Sequence, residues 1–295
     1  MKNVLVSKKP MGKSTKAFHF IVNIIMLLCL VICLIPFVYM IALSFSSSKA
    51  IINNQVTFFP VGFNLNSYKQ ILNYPNFFHA YGNTIFYTVF GTLIAMFMTV
   101  CFAYPLSKPF LLGKKKIMKL VIFSMYFSGG MIPNYLILAN LHLTSTRFAI
   151  LLPFAINQFN LIILISFFKS IPKELEDAAR IDGLNYIGTL VKIVLPLSKA
   201  ALATIALYYA VFFWNDWFYS LIYLKSDQYP IMLFLRNIVN GSATTGDGAG
   251  AADKTVIGIS IKSAVIIVST LPIIIVYPFL QKYFVKGLTV GSVKE

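Results

Sequence analysis

The chain has 295 residues, of which 58% are apolar and only 12% charged, with a mean hydropathy of +0.77. A water-soluble domain of this length carries about a quarter charged residues, so the composition excludes a globular protein bathed in water on every side. The formal net charge of +16 raises the question of nucleic acid. That partner is excluded, because the basic residues gather in short connections between apolar blocks rather than along one soluble face.

A hydrocarbon core about 30 Å thick needs about 20 mostly apolar helical residues. Six stretches meet that length: residues 20–45, 80–106, 117–140, 146–168, 200–224 and 260–283. Alternation of period two is absent, so the spans are helices rather than barrel strands. The first follows Lys2, Lys8, Lys9, Lys13 and Lys16 in the manner of a signal peptide. Its apolar run is too long for that, and no small-residue cleavage site follows it. The expected fold class is therefore all-α: a polytopic membrane protein of six transmembrane helices. Residues 1–19 form a basic amino-terminal segment and 20–295 one transmembrane domain. Cys29, Cys33 and Cys101 lie inside apolar blocks without His or carboxylate neighbours, which reads as packing rather than metal binding.

Orientation follows from the bias of Lys and Arg between loops. Five precede the first span, five follow the second (Lys108, Lys114, Lys115, Lys116, Lys119) and five follow the fourth (Lys169, Lys173, Arg180, Lys192, Lys199). Three more lie at the carboxy terminus, whereas the opposite loops together hold seven. Both termini are expected on the cytoplasmic side.

The connection 169–199 is long and patterned. Pro172 suits a helix start, and Ile171, Leu175, Ala178, Ala179 and Ile181 form an apolar side next to Glu174, Glu176, Asp177 and Arg180. Glu176 has the spacing to pair with Arg180. Gly183, after Asp182, permits a left-handed stop. A second apolar run then leads to Ile193-Val-Leu195-Pro196 at the start of the fifth span. Physics alone leaves two readings open here: an amphipathic helix resting on headgroups, or a docking surface for another chain.

The fifth span carries Phe213-Trp214-Asn215-Asp216-Trp217-Phe218. An intramembrane carboxylate should face the bundle or a watery cavity, and Trp214, Asn215, Asp216 and Trp217 are candidates to line a substrate pathway. An aromatic interface belt is the alternative. Tyr208 and Tyr209 read better as packing. Gly12-Lys13-Ser14 imitates the end of a phosphate-binding loop, but the first glycine of that motif falls on Ser7 and no strand precedes it. No nucleophile–base pair is present, so no catalytic site is expected.

Asp177-Ala178-Ala179, then Asp182-Gly183, then nine residues to Ile193-x-Leu195-Pro196, resembles the EAA loop of ABC importer permeases. Asp177 stands where that family most often has Glu. The Trp-Asn pair of the fifth span and the ending Pro278-Phe-Leu-Gln-Lys-Tyr-Phe-Val-Lys-Gly287…Gly291-Ser-Val-Lys294 are similar to the carbohydrate branch, specifically the second permease of maltose-type systems. The resemblance implies that Glu174, Asp177, Ala178, Ala179, Asp182, Gly183, Ile193, Leu195 and Pro196 couple the chain to an ATPase. It also implies two ATPase subunits, a second permease, an extracytoplasmic solute-binding protein and a sugar substrate, in a bacterial cytoplasmic membrane. No cofactor is expected. Three rivals remain: a secondary transporter or channel, a membrane-embedded enzyme, and an assembly scaffold. The first two lack their marks here, namely inverted repeats with intramembrane charges and clustered catalytic residues.

Overall fold

The structure is a computed structural model and describes residues 13–73, 75–241, 259–276 and 278. Among these residues every regular element is helical. In chain order they are α1 (Lys13–Ser44), α2 (Ser48–Ile52), α3 (Asn66–Leu72), α4 (Phe77–Ser107), α5 (Lys114–Tyr126), α6 (Met131–Asn140), α7 (Phe148–Leu151), α8 (Gln158–Ser170) and α9 (Lys173–Ile181). There follow α10 (Tyr186–Thr189), a π turn (Leu190–Val194), α11 (Leu195–Leu197), α12 (Lys199–Asn215), α13 (Phe218–Tyr223), α14 (Ile231–Gly241) and α15 (Ile259–Val276). The carboxy-terminal motif lies outside the described residues apart from Pro278.

The chain divides into two compact units. In the first, which takes in the described residues up to 70 together with 259–267, the end of α1 is anchored by polar and aromatic contacts. The Ser44 and Tyr68 hydroxyls lie 2.9 Å apart, and the Phe45 ring stacks on Phe63 and Tyr68. Ala42, Leu43, Ala50, Ile51 and Val56 form a small core beneath them. From Phe18 to Val38 the apolar side chains of α1 are exposed. A helix apolar on every side and uncovered by its own chain needs lipid or another apolar surface around it.

The second unit is built on α4, which packs against α12 and α8. The reason is a stripe of small side chains at helical spacing: Ala80, Thr84, Gly91, Ala95, Thr99 and Ala103 are all buried along α4. Small residues let helix backbones approach closely in an apolar solvent, where packing rather than hydrophobic expulsion drives association. At Gly91 the approach is closest, since an added Cβ would stand 2.7 Å from the Phe213 ring of α12. Gly91→Ala is therefore expected to destabilise the chain by about 1–3 kcal/mol through overpacking. Unfolding in detergent would measure this, and F213L in the same chain should recover part of the loss.

Among the described residues, three helices are long and apolar enough to cross a membrane: Phe18–Ser44 of α1, α4 and α15. The other expected spans are interrupted, and each interruption has a local cause. The stretch 117–140 is α5 and α6, bent by 115°, where Gly130 takes φ +91° and Phe127 is extended. The stretch 146–168 is not one helix. Pro153 follows the short α7, and α8 starts afresh at an Asn157 cap whose side chain accepts the Asn160 N–H at 3.1 Å. With 13 residues, α8 spans only about 20 Å. The stretch 200–224 is α12 and α13, parted where Asp216 turns extended.

Candidate functional site

The connection 169–199 forms two helical segments joined at a tight turn. α9 ends in a paired carbonyl lock: the Gly183 N–H donates to the Arg180 carbonyl at 3.0 Å and the Leu184 N–H to the Ala179 carbonyl at 2.9 Å. This is the left-handed C-terminal motif that glycine favours, and Gly183 has φ +81° with open space around its Cα. Gly183→Ala therefore meets backbone strain of about 1 kcal/mol without any clash, whereas Gly183→Asn tolerates the conformation. Helix content should fall in the alanine variant and be largely retained in the asparagine variant.

One face of α9 is buried and the other looks outward. Glu176 and Ala179 are buried, while Glu174, Asp177, Ala178 and Asp182 are exposed, as is Ile181 at 87%. The expected apolar side is thus split: Ile171 and Ala179 pack inward, and Leu175, Ala178 and Ile181 do not. The expected Glu176–Arg180 pair is also replaced. Glu176 turns inward and receives both of its hydrogen bonds from the Lys108 ammonium at the end of α4. Lys108 additionally sits 4.3 Å from the Tyr104 ring centroid. Arg180 instead approaches Asp177 at 3.9 Å and lies over the Tyr186 ring. The Glu176–Lys108 pair is the one that fixes the helix, because burial removes the solvent that weakens exposed pairs.

Beyond Gly183, Asn185 caps α10 by accepting the Gly188 N–H at 2.7 Å. The helical run then continues through the π turn, with Val194 fully buried and Ile193 and Leu195 half-buried. Pro196 is exposed near its end. After Ser198 the run bends by 84° into α12.

At its far end α12 lines a second feature, a cavity of about 750 Å³. Its walls come from the three helix interruptions: Phe127, Ser128 and Gly129 after α5, Pro153, Phe154, Ile156 and Asn157 before α8, and Tyr219 of α13. α12 contributes Tyr208, Tyr209 and Phe212. Phe154, Phe212 and Tyr219 form an aromatic group with centroids 4.5 Å (Phe154–Tyr219) and 5.0 Å (Phe154–Phe212) apart. Around it stand Ser124, Asn134, Asn157, Gln158 and Asn160, and among the described residues the lining holds no Asp, Glu, Lys or Arg. The buried Tyr209 hydroxyl lies 2.7 Å from that of Thr99 and accepts the Asn157 N–H at 2.9 Å, tying α4 to the interruption before α8.

Trp214, Asn215, Asp216 and Trp217, the candidates for a pathway, do not line this cavity. The Trp214 indole donates to the Ser269 carbonyl at 3.1 Å and is buried. Asp216 is buried too, accepting the Tyr219 and Ser220 N–H groups and the Ser220 hydroxyl. Its carboxylate is thereby a start signal for α13. Trp217 carries Arg236 3.7 Å above its ring, and the Asn215 side-chain amide donates back to the Val211 carbonyl. The cavity belongs to Tyr208, Phe212 and Tyr219, one turn or so to either side. The signals that lead to it are the helix breakers within apolar blocks: Gly129-Gly130, Pro153, Asn157 and Asp216.

Residues 80–290 match the binding-protein-dependent transport system inner membrane components. The chain belongs to that family. Protein LplC of Bacillus subtilis is 46% identical over 267 residues, covering 89% of this chain and 90% of that protein. The polygalacturonan/rhamnogalacturonan transport system permease protein YtcP of the same organism is 41% identical, over 95% of this chain and 99% of that protein. Among solved structures, a bacterial ABC transporter involved in import of the acidic polysaccharide alginate superimposes with a TM-score of 0.82 at 34% identity. The match covers 94% of this chain and 100% of that one. Members of this family of carbohydrate ABC permeases are multi-pass proteins of the cytoplasmic membrane, and this chain is a transport subunit rather than an enzyme.

Proposed function

We propose that the chain crosses the membrane six times with both termini inside, and passes an oligosaccharide by alternating access in concert with a second permease. On this reading the exposed face of α9, with Glu174, Asp177, Ala178 and Asp182, docks into a separate ATPase. Ala179 seats the helix, Gly183 sets its end, and Ile193, Leu195 and Pro196 hold its base against α12. The observation that carries the reading is continuity. The helical run from Tyr186 bends once into α12, whose Tyr208 lies about 14 Å along the axis from Lys199 at 1.5 Å per residue. A displacement of α9 therefore acts on the wall of the aromatic cavity. ATP can drive this only by binding the two conformations unequally, which makes tight, specific seating of α9 a requirement.

The substrate class proposed is an oligosaccharide containing uronic acids, delivered by a solute-binding protein. Two comparisons support it, being named for polygalacturonan/rhamnogalacturonan and for alginate. The cavity suits such a ligand in two respects: aromatic faces for sugar rings, and amide and hydroxyl groups without a carboxylate to repel it. The test is ATP-dependent uptake into vesicles holding this chain with its ATPase, second permease and binding protein. Trigalacturonate is expected to accumulate and maltotriose to be excluded. Uptake of the neutral sugar alone would sink the substrate class. Uptake by the isolated chain driven by a proton or sodium gradient would sink the subunit reading.

A further inference from the structure

A cleft of about 360 Å³ lies where the ends of α4 and α8 meet the start of α5 and the inner face of α9. Five of its lining residues are basic, Lys108, Lys114, Lys169, Lys173 and Arg180, against two carboxylates, Glu176 and Asp177. Both carboxylates are already engaged, by Lys108 and by Arg180. Among the described residues no carboxylate lies within ion-pair distance of Lys114, Lys169 or Lys173. Lys114 is moreover held in place, since its ammonium donates to the Lys108 carbonyl at 2.8 Å and the Ser107 carbonyl at 3.3 Å. That leaves one of its three donors for a ligand. Three cations brought together at these helix ends without a counter-charge suit an anion.

The depth of the cleft narrows the anion. It opens where three apolar helices end, and α5 buries none of its residues within this chain. Charged groups at the ends of lipid-facing helices lie in the headgroup layer, whose anionic component is the phosphodiester. Lysine is a point-charge binder of phosphate, and basic pockets between helix ends hold lipid headgroups.

We propose that this cleft binds one phosphate group through Lys114, Lys169 and Lys173, its source being the headgroup of an anionic phospholipid. Because Lys173 and Arg180 belong to α9 while Lys114 and Lys169 belong to α5 and α8, the bound phosphate ties the docking helix to the membrane-embedded helices.

The test uses the full chain in a neutral detergent, with native mass spectrometry counting retained phosphatidylglycerol and phosphatidylcholine, and with inorganic phosphate titrated separately. Each lysine at an anionic headgroup surface is worth about fivefold in affinity. K114Q/K169Q should therefore retain one fewer phosphatidylglycerol, with about thirtyfold weaker binding. K69Q/K225Q, at exposed lysines elsewhere, should match the parent. K169Q alone changes an exposed position and should weaken binding about fivefold, which keeps the result readable if the double variant folds poorly. Loss of lipid without any effect of millimolar phosphate identifies the headgroup as the source. Loss of inorganic-phosphate binding with lipid retention unchanged supports the phosphate site and overturns its lipid source. Equal binding of both ligands by parent and variants overturns the site and leaves the cleft to an acidic side chain of a partner.

Discussion

Lys108→Ala is expected to destabilise the chain by about 3–5 kcal/mol, the cost of leaving the buried Glu176 carboxylate without its partner. Both side chains are nearly inaccessible, at 8% and 10% of their free exposure, so little water stands ready to replace the lost ammonium. The variant also removes the cation from above the Tyr104 ring. A second variant separates charge pairing from shape. K108M/E176L takes away both charges and fills similar volume, and such replacements are neutral or stabilising by about 1–4 kcal/mol. Denaturant unfolding in detergent micelles would read both. If K108A unfolds with the parent's midpoint, Glu176 is solvated and the pair does not anchor α9. If K108M/E176L recovers stability but not transport, the pair serves to aim α9 rather than to hold it.

The second large effect is expected at a residue that contributes nothing to the fold. Ala178 is exposed on the outward face of α9 between Glu174 and Ile181. Its side chain lies off the buried face of α9, so Ala178→Trp should leave stability within about 0.5 kcal/mol of the parent. On the proposed function it blocks the approach of the ATPase. A central contact position is worth at least about 2 kcal/mol, or some thirtyfold in association. ATP-dependent uptake should fall by a comparable factor, with the chain still inserted at parental levels. Ala178→Ser, which keeps the side chain small, should transport normally. Unchanged uptake in the tryptophan variant would remove this face of α9 from the coupling path.

Some of the site was legible along the chain because it is set within one helical turn. The α9 stop at Gly183 depends on a left-handed residue at one position, and glycine after Asp182 announces it. The exposure of Glu174 and Asp177 together follows from their three-residue spacing. The pairing of Glu176 was not legible in this way. A carboxylate four residues before an arginine invites the local pair, yet Glu176 faces the bundle because Ile171 and Ala179 do, and the cation it meets lies 68 positions earlier.

The aromatic cavity shows the same division. Hydropathy averages over a window, and a proline or an asparagine inside an apolar block barely changes the average. Whether the helix breaks there depends on who takes up the freed backbone groups, since lipid offers none. Here the Tyr209 hydroxyl accepts from Asn157, the Tyr223 carbonyl accepts from Ser145 at 2.7 Å, and Asp216 takes the first amides of α13.

Composition and periodicity alone therefore determined that this protein is helical, lies in the membrane and presents an acidic, small-residue helix beside its fourth and fifth apolar blocks. These are properties of neighbouring residues, and short-range sterics and transfer to lipid decide them. The tertiary structure alone decided which apolar blocks break, that their breaks line one open cavity, and that Glu176 belongs to Lys108. Each of those rests on hydrogen bonds and ion pairs between distant segments, whose value appears only once α4, α8 and α12 have closed around them.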